Sequence, residues 1–233
     1  PTASVESIVP AGVDVHTFEP SPGAVRSLAH ANLVVANGLG LDGWVAPLLD
    51  AAGVPPASLL LLGEGLDATG DWSYLPGGTG ADGAHDPHVW MDPRGAELYV
   101  QRIASRAAAD DPAHAADYAA AGARGRADIA ALDARIAAGF ATIASKRIVT
   151  FHDAFAYFAR AYGIEIVGVA VASPGQDPSA REIAALITAI RTTGVTAIFG
   201  EAQLPAKVLD QVARDAGVTV IGSLSSDALG PAP

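Results

Sequence analysis

Residues 112–145 read PAHAADYAAAGARGRADIAALDARIAAGFATIAS, and this stretch decides the fold. Within it Tyr118, Gly122, Gly125, Ile129, Leu132, Ile136, Phe140 and Ile143 recur at steps of three and four, which is one continuous helical face. Asp111 followed by Pro112 has the form of a helix start, with the aspartate as N-cap and the proline in the first turn. At 1.5 Å per residue, about 30 residues span roughly 45 Å. That exceeds what one small lobe needs, so the helix is expected to be a strut between two lobes.

On both sides of the strut the chain alternates short apolar runs with helical patterns. Upstream, Ser4–Val9 reads as a strand and Val13–Ser21 as a polar segment. Ala24–Ala31 reads as a helix opened by Ser21-Pro22. Leu33–Ala36 reads as a buried strand, Leu41–Ala52 as a helix stopped by Gly53, and Ser58–Leu62 as a strand. Gly63–Ala84 holds seven glycines in 22 residues without apolar periodicity, so a long mobile loop is expected there. A helix follows from about Gly95 to Ala109.

Downstream, Arg147–Thr150, Glu165–Val171, Thr196–Phe199 and Thr219–Ile221 read as strands. Ala154–Tyr162, Ser179–Thr192 and Pro205–Ala216 read as the helices between them. Such alternation predicts an α/β fold: two Rossmann-like lobes with mostly parallel sheets, joined by one long rigid helix. The expected divisions are residues 1–110, 111–145 and 146–233.

Half of the 233 residues are apolar and 17% are charged, which is a globular composition. The net charge of −11 disfavours nucleic acid and anionic membrane surfaces as partners and suits a protein that attracts cations. With no cysteine, disulfides, thiolate metal sites and cysteine nucleophiles are excluded. A metal site in this chain must use histidine, carboxylate or carbonyl oxygen.

Three of the six histidines share a setting. His16 lies in Asp14-Val15-His16-Thr17-Phe18-Glu19, His88 in Asp86-Pro87-His88-Val89-Trp90-Met91-Asp92, and His152 in Thr150-Phe151-His152-Asp153. Each is placed beside carboxylates and aromatics, at or near an expected strand end. Ligands of open α/β sheets gather beyond the carboxyl ends of strands. Three imidazoles distant in sequence can therefore converge, and Asp227, after the last strand, is the candidate fourth ligand. Three histidines and one aspartate suit zinc better than the oxygen-seeking calcium and magnesium. By spacing alone this is a weak signal. A lone histidine by a strand is more often a hydrogen-bonded or exposed residue, and a lone aspartate is more often a turn or cap residue. His30 and His114, on helices, are expected to be solvated, and Trp44 and Trp90 to be packing residues.

Taken together these segments resemble a known family. They are Val9–Ser21 with His16, Ala31–Asp42, Asp86-Pro87-His88-Val89-Trp90-Met91-Asp92-Pro93, Thr150–Phe155, Ile198–Gln203 and Ser223–Gly230 with Asp227. Their order and spacing are similar to those of the zinc/manganese substrate-binding proteins of bacterial ABC metal importers, over essentially the whole chain. The resemblance implies that His16 and His88 from the first lobe and His152 and Asp227 from the second hold one transported ion. That ion is Zn2+, with Mn2+ as the alternative, because histidine at the third position leans toward zinc. Glu201 is implied to stand near the cleft without binding the ion.

The resemblance also implies a membrane permease with its ATPase as partner, a periplasmic or cell-surface location, a monomer, and no enzymatic activity. Three departures stand out. Val15 replaces a proline, the Gly63–Ala84 loop carries no histidine, and the family's strand and helix ahead of residue 1 and helix after Asp227 are not visible, so a trimmed chain is expected. The rival readings are a zinc hydrolase, with Glu201 or Glu19 as general base, and an adhesin or zinc chaperone on the same scaffold.

Overall fold

The computed structural model describes residues 3–77, 84–204 and 206–229. Seven helices and six strands appear among them. The first half holds α1 (Pro22–Leu28), β1 (Val34–Ala36), α2 (Val45–Ala52), β2 (Leu59–Leu61) and α3 (Pro93–Asp110). The long helix is α4 (Ala115–Ala141). The second half holds β3 (Arg147–His152), α5 (Ala156–Tyr162), β4 (Glu165–Val171), α6 (Ala180–Thr193), β5 (Ala197–Glu201), α7 (Lys207–Ala216) and β6 (Thr219–Leu224). β1 and β2 form a two-stranded parallel sheet. The second sheet runs β4-β3-β5-β6, and all its pairings are parallel.

Local chemistry explains many of the boundaries. Ser21 caps α1 by accepting from the Ala24 amide, with Pro22 in the first turn. Asp92 caps α3 in the same way, ahead of Pro93. Ser179 and Glu182 form a reciprocal capping box on α6. Gly53 ends α2 in the left-handed region, φ 68°, which a side chain would strain. The second sheet buries Val149, Ile198, Leu209 and Val212 completely between its strands and helices α6 and α7. Each such side chain contributes roughly 1.5–3 kcal/mol.

At 27 residues, α4 extends about 40 Å. Its first half lies against α3, where Gly122 faces Ala104 and Gly125 faces Val100. A Cβ added at Gly122 would stand 2.6 Å from that of Ala104, so the missing side chain is what lets the two helices approach. Its second half packs Ile136 and Phe140 against Phe158, Tyr162 and Ile164 of the second half of the chain. The helix thus touches both sheets' surroundings, as a strut must.

Several expectations fail in detail. Ser4–Val9 is not a strand: it pairs with no neighbour among the described residues, and Val5 is 96% exposed. An apolar run becomes a strand only where a second strand exchanges backbone hydrogen bonds with it. Asp111 does not cap α4. A 3-10 turn at Pro112–His114 intervenes, and the Asp111 carboxylate accepts instead from the His114 ring and the Tyr118 hydroxyl. On α4, Leu132 is exposed and Asp133 is the inward residue, accepting from Tyr162 Oη at 2.8 Å.

The Gly63–Ala84 segment is also more structured than expected over residues 63–77. Leu66 and Trp72 are buried, and Tyr74 packs on the His85 ring with centroids 4.4 Å apart. A few large side chains suffice to anchor a glycine-rich stretch. Residues 78–83 of that loop, and Pro205 at the expected start of α7, lie outside the described residues.

Candidate metal centre

His152 is the last residue of β3, and Asp227 sits in the turn after β6. Both therefore stand beyond the carboxyl ends of strands in one parallel sheet, where side chains from separate strands converge. His88 opens the 3-10 turn Val89–Met91, which leads through Asp92 into α3. His16 lies in the irregular segment between residues 13 and 21. Its loop is fixed by Asp14, whose carboxylate accepts from the His16 amide at 2.9 Å, and by Trp44, whose Nε1 donates to Val15 O at 3.3 Å. Trp44 in turn packs edge-on against Phe18.

These four residues offer ligand atoms that all lie within 4.8 Å of one another. His16 Nε2 is 3.4 Å from His88 Nε2 and 3.5 Å from Asp227 Oδ2. His88 Nε2 is 3.6 Å from Asp227 Oδ1, and His152 Nε2 is 2.7 Å from Asp227 Oδ2. His88, His152 and Asp227 are buried, and His16 is partly so. Buried polar atoms are normally hydrogen-bonded. Here His152 Nε2 and both Asp227 oxygens lack a well-formed hydrogen bond, although His152 Nε2 lies 2.7 Å from Asp227 Oδ2. Nitrogen and oxygen lone pairs aimed at one point, in a dry place, are what a small cation satisfies.

Two of the imidazoles are oriented from behind. His88 Nδ1 donates to Asp86 Oδ1 at 2.7 Å, and Asp86 also accepts from the His88 amide. His152 Nδ1 donates to Glu201 Oε1 at 2.8 Å. Each bond fixes the tautomer with its proton on Nδ1 and leaves Nε2 as a free donor of electrons to a metal. Glu201 ends β5 at a register shift between Gly200 and Glu201, a device that re-aims side chains. Its other oxygen accepts from Ser226 Oγ and from Gln203 Nε2, so Glu201 joins the His152 and Asp227 loops. His16 Nδ1 has no such partner among the described residues.

The electrostatics of the cluster favour positive charge on His152 and negative charge on Asp227. Burial disfavours charge on His152, but the carboxylates of Asp227 and Glu201 outweigh it and raise its pKa above the ordinary 6.5. Burial likewise works to raise the pKa of Asp227, and the neighbouring histidines outweigh it and hold the carboxyl well below the usual range.

The structure brings together the four residues that the sequence put forward, with supports that the sequence did not single out. Asp86, Trp44 and Tyr157 received no such role from the sequence. The spacing Asp86-x-His88 was a possible signal, yet Asp14-x-His16 has the same spacing and bonds only the backbone. His30 and His114 are exposed, as expected.

The whole chain, residues 1–233, matches the model of the family described as zinc-uptake complex component A, periplasmic (ZnuA). This chain belongs to that family. Among its relatives, the zinc-binding lipoprotein AdcA of Streptococcus pneumoniae is 31% identical over 228 residues. The alignment covers 93% of this chain, which thus spans under half (44%) of AdcA's length. The iron-binding protein YfeA of Yersinia pestis is 28% identical, with 99% of this chain and 74% of YfeA covered. A crystal structure of a ZnuA superimposes with a TM-score of 0.83 at 28% identity, covering 97% of this chain and 83% of the other. The α/β architecture with parallel sheets and a long helix is that of this zinc-uptake family.

Proposed function

We propose that this zinc-uptake family member captures one divalent transition-metal ion, Zn2+ before Mn2+, through His16, His88, His152 and Asp227. Residues 1–110 and 146–233, flanking the helical span 111–145, supply two ligands each. The ion would tie the two lobes together. The protein would then deliver it, outside the cytoplasm, to a membrane permease driven by an ATPase. Family membership supports this role, as do the names of AdcA as a zinc-binding and YfeA as an iron-binding protein.

The observation that carries the proposal is the convergence of four ligand atoms within 4.8 Å, with Asp227 and His152 atoms buried and otherwise unbonded. Three nitrogens and one carboxylate favour zinc over manganese, which prefers more oxygen ligands. Capture needs no chemical step: neutral imidazoles and one carboxylate replace the water around the ion.

A hydrolase reading finds less support. A catalytic zinc keeps three protein ligands and an open water position beside a free base. Here four candidate ligand side chains converge, which favours a closed site. Glu201 is engaged by His152, Ser226 and Gln203, and Glu19 is exposed.

Calorimetric titration with Zn2+ tests the proposal. One tight site per chain is expected, and the double variant His88→Ala, His152→Ala should lose it. Two or more equal sites, or full affinity in the double variant, would overturn it.

A further inference from the structure

Two aromatic side chains cross between the halves of the molecule, in opposite directions, and each ends on the backbone of a segment that carries a proposed ligand of the other half. Tyr157 belongs to α5, four residues after Asp153 and on the same segment as His152. Its side chain leaves the second half and is fully buried in the core of the first, among Leu39, Leu66, Trp72, Val89 and Tyr99. There its hydroxyl donates to Asp86 O at 3.1 Å and accepts from the Leu75 amide at 3.0 Å. Asp86 is the residue whose carboxylate orients the His88 ring. The Tyr157 ring is further held by stacking on Trp72, with centroids 5.4 Å apart, and by the Arg160 guanidinium 4.9 Å away.

Trp90 does the converse. It sits two residues after His88, its ring 5.4 Å from the His88 ring, and its Nε1 donates to Ser226 O at 3.3 Å. Ser226 immediately precedes Asp227 and donates its hydroxyl to Glu201, which orients His152. The backbone carbonyls of Asp86 and Ser226 are thus each fixed by a donor from across the lobe boundary. Four ligands split two and two between halves converge only if the halves keep one relative register. These two bonds are placed to set it at the loops that carry His88 and Asp227.

We propose that Tyr157 and Trp90 are a reciprocal pair of positioning residues, whose cross-lobe hydrogen bonds to Asp86 O and Ser226 O hold His88 and Asp227 in register for a single metal ion. The proposal rests on the four-residue site put forward above. Neither side chain touches the ion; each acts through the backbone of the segment bearing a ligand. Loss of either bond frees one loop to shift, so the ion is held less tightly and its coordination is less uniform.

Tyr157→Phe and Trp90→Phe keep an apolar ring and remove the donor. Tyr162→Phe is the control, since its hydroxyl bonds Asp133 on α4 and no ligand loop. Each protein is loaded with Co2+, whose visible d–d spectrum reports coordination geometry, and Zn2+ affinity is read by competition with a chelator. In Tyr157→Phe and Trp90→Phe, zinc affinity should fall about tenfold, at the lower end of what outer partners of metal ligands contribute. The Co2+ bands should shift or broaden in both. The double variant should lose less than the product of the two single losses, because both bonds hold one register. Tyr162→Phe should lower thermal stability and leave the spectrum and affinity unchanged.

Wild-type Co2+ spectra and zinc affinity in both crossing variants would overturn the proposal while leaving the four-residue site intact. Equal loss in Tyr162→Phe would also overturn it, by reducing the effect to general destabilisation. A His152→Ala variant that binds Co2+ like wild type would overturn the site itself, and the proposal with it.

Discussion

Replacing Glu201 by glutamine keeps the side chain's shape and removes its charge, and the site makes the consequence calculable. Glu201 is fully buried, with one oxygen 2.8 Å from His152 Nδ1 and 3.2 Å from the His152 amide. A hydrogen bond to a charged partner contributes ~1.5–3 kcal/mol and a neutral one about 1 kcal/mol. Neutralising the acceptor therefore costs ~1–2 kcal/mol, which is about 5- to 30-fold in affinity. The loss falls mainly on the metal-bound state, because a metal on Nε2 draws electron density from the ring and strengthens the Nδ1–H bond.

A second effect has the opposite sign. Asp227 and then Glu201 raise the His152 pKa, so the metal must displace a proton from that ring. Removing one carboxylate lowers the proton's hold and returns part of the lost affinity wherever His152 is protonated. The deficit of Glu201→Gln should thus be widest at alkaline pH and narrow as pH falls. Calorimetry in two buffers of different ionisation enthalpy, at several pH values, reads both affinity and protons released per metal. A variant with wild-type affinity, or with a deficit constant across pH and unchanged proton release, would refute the reasoning that Glu201 tunes His152.

Further expectations can be checked alongside. In wild type, metal affinity should climb as pH rises, with protons released on binding, because His152 must be neutral to ligate and its pKa is raised; affinity flat from about pH 5 to 7.5, across the ordinary histidine range, would mean that imidazoles are not the ligands. The metal-free protein should run the other way. Charge on His152 adds stability that is fully present below about 6.5 and is lost as pH rises through the raised folded value, so the apo melting temperature should fall over that window. His152→Glu exchanges a nitrogen for an oxygen ligand and should move the zinc-to-manganese ratio toward manganese in a competition assay, and an unchanged ratio would defeat the ligand-type argument. Gly95→Ala should destabilise the fold by about 2 kcal/mol or more in urea titration, because a Cβ there would stand 2.3 Å from Val89 O, in the turn that follows His88.

Much of the framework was legible because it depends on neighbours in sequence. The Ser21-Pro22 start of α1, the glycine stop of α2 and the helical period of α4 all rest on contacts within a few residues. So does the alternation from β3 to β6, whose short apolar runs lie between helical patterns. Where the sequence misleads, the deciding contact is distant. Ser4–Val9 has a strand's composition and finds no partner. Leu132 falls on the predicted face, but the Tyr162 hydroxyl turns Asp133 inward instead. Leu66, Trp72 and Tyr74 anchor a stretch whose glycines suggested mobility.

The four site residues were picked out by a resemblance spread over the whole chain. Their local settings gave each histidine only a bland environment. What the sequence by itself determined is the supply of candidate ligands, three imidazoles and a carboxylate with no thiolate, and an α/β frame that sends strand ends to one side of a sheet. Only the tertiary structure decided which nitrogen of the His88 and His152 rings is free. Asp14 and Asp86 precede their histidines by the same two residues. Yet Asp86 grips the His88 ring while Asp14 holds only the His16 backbone, because ring orientation is set by what packs behind it from elsewhere in the chain. The crossing of Tyr157 into the first core was equally invisible, since a helical tyrosine near a glycine stop looks the same whichever lobe receives it.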